Sequence, residues 1–135
     1  YLLNNGFSKT IPVLDKKEEL DLFQDAIDKP CQLGIRIAAE EEPKFDFYTS
    51  RLGIRYNDIV EFYKQKIKNN KKFKLKMLHV FINTGIKDTS YYWNELVKCL
   101  QIYCELKKLA PELDSLNIGG GFTIKNSLAF EYDYE

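Results

Sequence analysis

The sequence has little of what marks the specialised protein classes. It holds three cysteines in 135 residues, Cys31, Cys99 and Cys104. A sparse, odd set without a CxxC pair reads as reduced thiols in a cytosolic setting, not as a disulfide framework. His79 is the only histidine, so metal binding has little support. Neither sign of charge is in excess: 20 Lys+Arg stand against 20 Asp+Glu, for a net charge of +0. That argues against a nucleic-acid arm or a polybasic membrane anchor as partner-binding device. No apolar run approaches the roughly 20 residues of a membrane span. No signal-peptide pattern opens the chain. Met77 is the only methionine, so there is no initiator residue. Tyr1 to Gly6 reads as the end of a helix with Gly6 as its stop. Together these suggest a piece of a longer protein.

What remains is the composition of an ordinary domain. Hydrophobic residues are 44% and charged residues 30%, close to a typical soluble fold. A chain of this size removes roughly two-thirds of its unfolded surface from water without staples.

Short apolar runs alternate with amphipathic stretches. Ile11-Pro12-Val13-Leu14 suits a buried strand with Pro12 near its start. Asp15, three before Glu18, resembles a capping box, and Leu20, Phe23 and Ile27 continue at helical spacing to Lys29-Pro30. Leu33 to Ala38 is a second strand. Glu40 to Tyr56 is polar, with an aromatic Lys44-Phe45-Asp46-Phe47-Tyr48 segment, and reads as a loop. Asn57 is placed to cap a helix carrying Ile59, Phe62, Tyr63 and Ile67 on one stripe. Leu75 to Ile82 is a third strand. A long helix from about Asp88 to Leu109 follows, with Trp93, Leu96, Val97, Leu100 and Cys104 as its expected buried face and Pro111 beyond its end. Leu116-Asn117-Ile118 is the fourth strand. The fold class is α/β: parallel βαβ units forming about half of a (β/α)8 TIM-type barrel, or a small doubly wound sheet. Two open strand edges again suggest further chain.

The strongest chemical signal is Asn117-Ile118-Gly119-Gly120-Gly121-Phe122 at a strand end. Glycines let the backbone approach a ligand and turn N–H groups toward an anion, usually a phosphate. A tight turn without a ligand is the plain alternative. Phe81-Ile82-Asn83-Thr84-Gly85 also ends a strand, where Asn83 and Thr84 offer hydrogen bonds to the same anion and Phe81 a face for a planar ring. A helix cap would explain that segment equally. Arg36 interrupts an apolar strand and falls on the face opposite Ile35 and Ile37. Such an arginine either pairs with a carboxylate or faces a charged ligand. His79 reads first as a satisfied core histidine. Glu40-Glu41-Glu42 reads as a solvated charge run.

The series Gly34-Ile35-Arg36-Ile37-Ala38, Ser50-Arg51-Leu52-Gly53-Ile54, Leu78-His79-Val80-Phe81-Ile82-Asn83-Thr84-Gly85 and Asn117-Ile118-Gly119-Gly120-Gly121-Phe122 resembles the alanine-racemase-like barrel of the pyridoxal-phosphate decarboxylases. The stretch Glu40 to Gly53 is most similar to the bacterial arginine decarboxylases. The resemblance implies that residues 1–135 are a fragment of a pyridoxal-phosphate-binding barrel domain. Gly119, Gly120 and Gly121 match the loop that binds the cofactor phosphate. Thr84 matches a phosphate-binding Ser, and Arg36 an inward-facing Arg near the cofactor. Phe81 falls where a His usually stacks on the pyridine ring, and Asn83 where Gly is usual. Phe keeps the stacking face but has no proton to exchange.

None of the lysines reproduces the Schiff-base motif, so the resemblance implies that the catalytic Lys strand and the C-terminal β-domain lie outside this chain. It further implies a cytoplasmic homodimer or higher homo-oligomer that takes an amino-acid substrate, releases carbon dioxide from arginine to give agmatine, and so feeds polyamine biosynthesis. Lysine, ornithine, diaminopimelate and carboxynorspermidine are the alternative substrates. A non-catalytic binding or regulatory barrel, or an unrelated barrel with another phosphorylated ligand, are the alternative roles.

Overall fold

The computed structural model describes residues 1–38, 52–82 and 89–120. Strands β1 (Val13–Leu14), β2 (Cys31–Ala38), β3 (Ile54–Arg55), β4 (Phe73–Val80) and β5 (Ser115–Asn117) form one sheet. All four described strand pairings are parallel. Helices α1 (Glu19–Ala26), α2 (Tyr56–Phe62) and α3 (Thr89–Leu109) make the connections. This is the expected α/β arrangement of βαβ units, because parallel neighbours require a crossover between them.

Strand β2 is the hub. Strand β4 pairs along one edge from Cys31 to Ile37. The other edge is shared end to end: β1 takes Gly34 and Ile35, and β3 takes Ile37 and Ala38. The β3 strand lies within the stretch read from sequence as a loop. Two residues are too few to show a period, and only pairing with β2 reveals them. The β2–β4 register slips between Leu33 and Gly34, where Lys76 is the extra residue. That bulge lets Leu75 and Leu78, three apart, both reach the core.

One sheet face is the core. Leu14, Ile35, Ile37, Leu78, Val80 and Ile82 bury there beneath the helices. The α2 stripe behaves as its spacing predicts: Ile59, Phe62, Tyr63 and Ile67 are all buried, and the helix continues through a π-helical turn at Tyr63–Ile67. Its start differs from expectation. Arg55 holds the N-cap position without a side-chain cap, and Asn57 lies inside the first turn. The expected capping box of α1 does not form: Glu18 is itself the N-cap and has no side-chain cap. Glu19, not Glu18, reaches back to accept from the Asp15 and Lys16 N–H groups, at 2.6 and 3.2 Å.

The inward face of α3 is the larger correction. Trp93, Val97, Leu100 and Cys104 are exposed. The buried positions are Glu95, Cys99 and Leu106, with Leu96, Ile102 and Tyr103 partly buried beside them. Both sets run at helical spacing, so apolar periodicity favoured the wrong one. Glu95 points inward because it has partners. The Tyr56 hydroxyl donates to Glu95 Oε2 at 3.3 Å and the Lys98 ammonium to Oε1 at 2.8 Å. Cys99 Sγ lies 3.2 Å from the same hydroxyl.

Candidate functional site

The face of the sheet away from the helices carries the site. Side chains alternate along a strand and keep one face across parallel neighbours. Register therefore sorts this face into layers. The lowest joins Val13, Gly34, Met77 and Ser115. Gly34 is tight there: a β-carbon would meet Val13 Cγ2 at 3.0 Å and Met77 Cε at 3.2 Å. The next layer pairs Arg36 with His79 and His79 with Asn117, and Asp15 follows β1 beside Arg36. Every member of this layer is polar. Above it, at the C-terminal edge, stand Ala38, Phe81 and Gly119.

Three expected site residues thus come together. Gly119 has φ +75°, the left-handed region that glycine tolerates. A β-carbon on it would lie 3.1 Å from the Val80 carbonyl oxygen, 3.7 Å from Phe81 Cδ2 and 3.8 Å from His79 Cε1. The glycine loop therefore rests directly on the end of β4. Asn117 shapes its entry: the Gly119 N–H donates to Asn117 Oδ1 at 2.8 Å. His79 fixes the strand below, because its Nδ1 lies 3.2 Å from the Asn117 carbonyl oxygen. A carbonyl only accepts, so Nδ1 carries the proton in that contact. His79 is thus satisfied, as read from sequence, but half-buried on the face away from the core and not within it.

Gly120 is different in kind. Its φ is not positive, and among the described residues a β-carbon there would meet nothing within 4 Å. The backbone favours glycine at 119, while no described atom demands it at 120. Phe81 beside them is 42% exposed. A large apolar ring uncovered next to an open glycine loop is a fitting bed for a flat, phosphate-bearing group. Arg36 forms the carboxylate pair that was one of its two expected descriptions. Its Nη1 donates to Asp15 Oδ1 at 3.2 Å, while its Nε is buried with no hydrogen-bond partner among the described residues. Gly121, Thr84 and Asn83 lie outside the described residues, as do the Glu40–Glu42 run and the aromatic segment 44–48.

A family model decides the assignment. The model of the pyridoxal-dependent decarboxylase pyridoxal-binding domain matches residues 3–132. The chain belongs to this family. Among curated relatives, it is 34% identical over 84 residues to biosynthetic arginine decarboxylase 2 of Synechocystis sp., covering 62% of this chain and 12% of that protein. It is 26% identical over 127 residues to the biosynthetic arginine decarboxylase of Geobacter sp. (strain M21), covering 88% of this chain and 20% of that one. The chain thus spans a fifth or less of the length of these two relatives.

Solved structures agree on the fold. AQ1208 from Aquifex aeolicus superposes with a TM-score of 0.68 at 21% identity, over 91% of this chain and 29% of that one. A diaminopimelate decarboxylase gives 0.60 at 17% identity, over 90% and 29%. The resemblance read from four short motifs is therefore the family, and the family binds pyridoxal. Among the described residues no helix is long and apolar enough to cross a membrane.

Proposed function

We infer that this chain forms the phosphate-holding wall of a pyridoxal-phosphate-dependent carboxy-lyase. The complete protein that carries it converts arginine to agmatine and carbon dioxide, as its curated relatives' names suggest. The observation that supports the reading is the contrast between Gly119, where φ and the Val80 carbonyl oppose a side chain, and Gly120, around which no atom of the described residues lies within 4 Å, so that a phosphate would have room.

Bound pyridoxal phosphate would supply an electron sink for the bond between the α-carbon and the carboxylate. The residues here bind and orient. The N–H groups of Gly120 and Gly121 take the phosphate, Gly119 sets the turn beneath it with its own N–H given to Asn117 Oδ1, and Thr84 and Asn83 add side-chain hydrogen bonds. Phe81 offers its exposed face to the pyridine ring. Having no proton to exchange, it leaves acid–base work to groups elsewhere. Arg36 approaches from the layer beneath, with its unpartnered Nε as donor. The reacting lysine lies outside this chain, and the complete protein acts as a homodimer.

The test is carbon dioxide release by the complete protein with added pyridoxal phosphate, offered arginine, lysine, ornithine and diaminopimelate in parallel. Release from arginine is expected. Release from one of the others alone would move the substrate but keep the reaction. Silence on all, with cofactor bound, would favour the non-catalytic role that Phe81 in place of His allows.

A further inference from the structure

Gly53 and the turn at Asp15 have no part in the reading above. The structure joins these two residues. Asp15 follows β1, and its backbone is held from two sides. Its N–H donates to Glu19 Oε2 at 2.6 Å, and its carbonyl accepts from the Gly53 N–H at 2.9 Å. Gly53 reaches it only by lying flat against β2. A β-carbon on Gly53 would fall 2.5 Å from Ala38 N and 2.8 Å from the Ile37 carbonyl carbon, and its φ is +102°. Both clashing atoms are backbone, so neither yields as a side chain would. The result is a carboxylate clamped at the end of β1, with Oδ1 3.2 Å from Arg36 Nη1 and both side chains largely covered.

We propose that Asp15 is a positioning residue for Arg36. It ties up one end of the guanidinium and so holds the buried, unpartnered Nε toward the cofactor bed formed by Phe81 and Gly119. A long, flexible arginine has many rotamers, and a fixed carboxylate on one nitrogen removes most of them. A buried donor without a partner is unfavourable in the empty site and is relieved when a ligand acceptor arrives. The Gly53 turn then has a role two contacts from the ligand. It fixes Asp15, and Asp15 fixes Arg36. This rests on the placement of Arg36 near the cofactor given above.

The test is a double-mutant cycle in the complete protein. The measurements are the pyridoxal phosphate dissociation constant, the absorption maximum of bound cofactor, and the melting midpoint of the cofactor-free form. Arg36→Met should weaken cofactor binding about tenfold, and Asp15→Asn about three- to tenfold. Asp15→Asn, Arg36→Met together should be no weaker than Arg36→Met alone, and Asp15→Glu should restore part of the loss. If Arg36→Met shifts binding or absorption and Asp15→Asn shifts neither, the positioning role is refuted while Arg36 keeps its place at the cofactor. Losses that simply add in the double variant refute it as well. If Arg36→Met itself changes nothing, the placement of Arg36 fails, and the role of Asp15 with it.

Discussion

Two adjacent glycines separate what the fold needs from what a ligand needs. At Gly119 the φ of +75° and the Val80 carbonyl at 3.1 Å both oppose a side chain. Left-handed backbone costs an L-residue about 1–2 kcal/mol. The lower chain entropy of alanine in the unfolded state returns about 0.4–1 kcal/mol. With some crowding at Val80, Gly119→Ala should destabilise the cofactor-free protein by about 1 kcal/mol. Gly120→Ala should not, because the φ is not positive and no atom of the described residues lies within 4 Å of the new methyl. Its cofactor-free stability should be unchanged or slightly raised. Its cofactor affinity should fall. Pushing a phosphate off one backbone N–H forfeits a charge-assisted hydrogen bond worth about 1.5–3 kcal/mol, or roughly ten- to hundredfold in dissociation constant. Gly120→Asp adds like charge and should lose more. The assay is cofactor titration by absorbance, with denaturant unfolding of the cofactor-free protein beside it. A Gly120→Ala protein that binds pyridoxal phosphate as tightly as the parent would refute the cradle and leave the loop a turn.

Tyr56→Phe removes the hydroxyl that donates to Glu95 Oε2 and leaves a buried carboxylate with Lys98 alone. It should destabilise by about 1–3 kcal/mol in urea unfolding, and a loss near zero would show that Lys98 suffices. The three thiols should label in the order Cys104, Cys31, Cys99 with a disulfide reagent, because Cys104 is exposed and Cys99 fully covered. Burial also pushes the Cys99 thiol above its ordinary 9.0, so the folded form keeps it neutral where the unfolded chain ionises. Its contribution is complete below pH 9 and declines as pH rises beyond, a slope that Cys99→Ala should flatten in stability measured from pH 8 to 10. Labelling of Cys99 as fast as Cys104 would contradict the packing of α3.

The strands and the glycine loop were legible because their signals are local. Four apolar runs followed by turn residues gave β1, β2, β4 and β5 to within a few residues, and Gly119 declared itself by following an apolar run, although β5 proves only partly buried and Ile118 exposed. What escaped depends on partners distant in sequence. Asp15 looked like a helix cap because Glu18 stands three residues on; its ion pair with Arg36 exists only once β1 lies beside β2. On α3, Trp93, Val97 and Leu100 outbid Glu95 for the core on hydrophobicity. Nothing near Glu95 in sequence announces Tyr56, whose hydroxyl makes burial of that carboxylate tolerable.

The same reasoning shows what would have exposed the polar layer. Aligning the strands in parallel and counting by two from Arg36 leads to His79 and then Asn117. Charged and amide side chains repeated across neighbouring strands on one face are poor core and good site, since each must find a partner there. His79 finds its partner in the Asn117 backbone carbonyl, and the Asn117 side chain in the Gly119 N–H. Asp15 and Arg36 find each other, and one donor is left over. That surplus donor, one layer below an exposed Phe81 and an open Gly120, is the feature a self-satisfied structural layer would not have. On the function proposed above, a ligand acceptor would complete the set there.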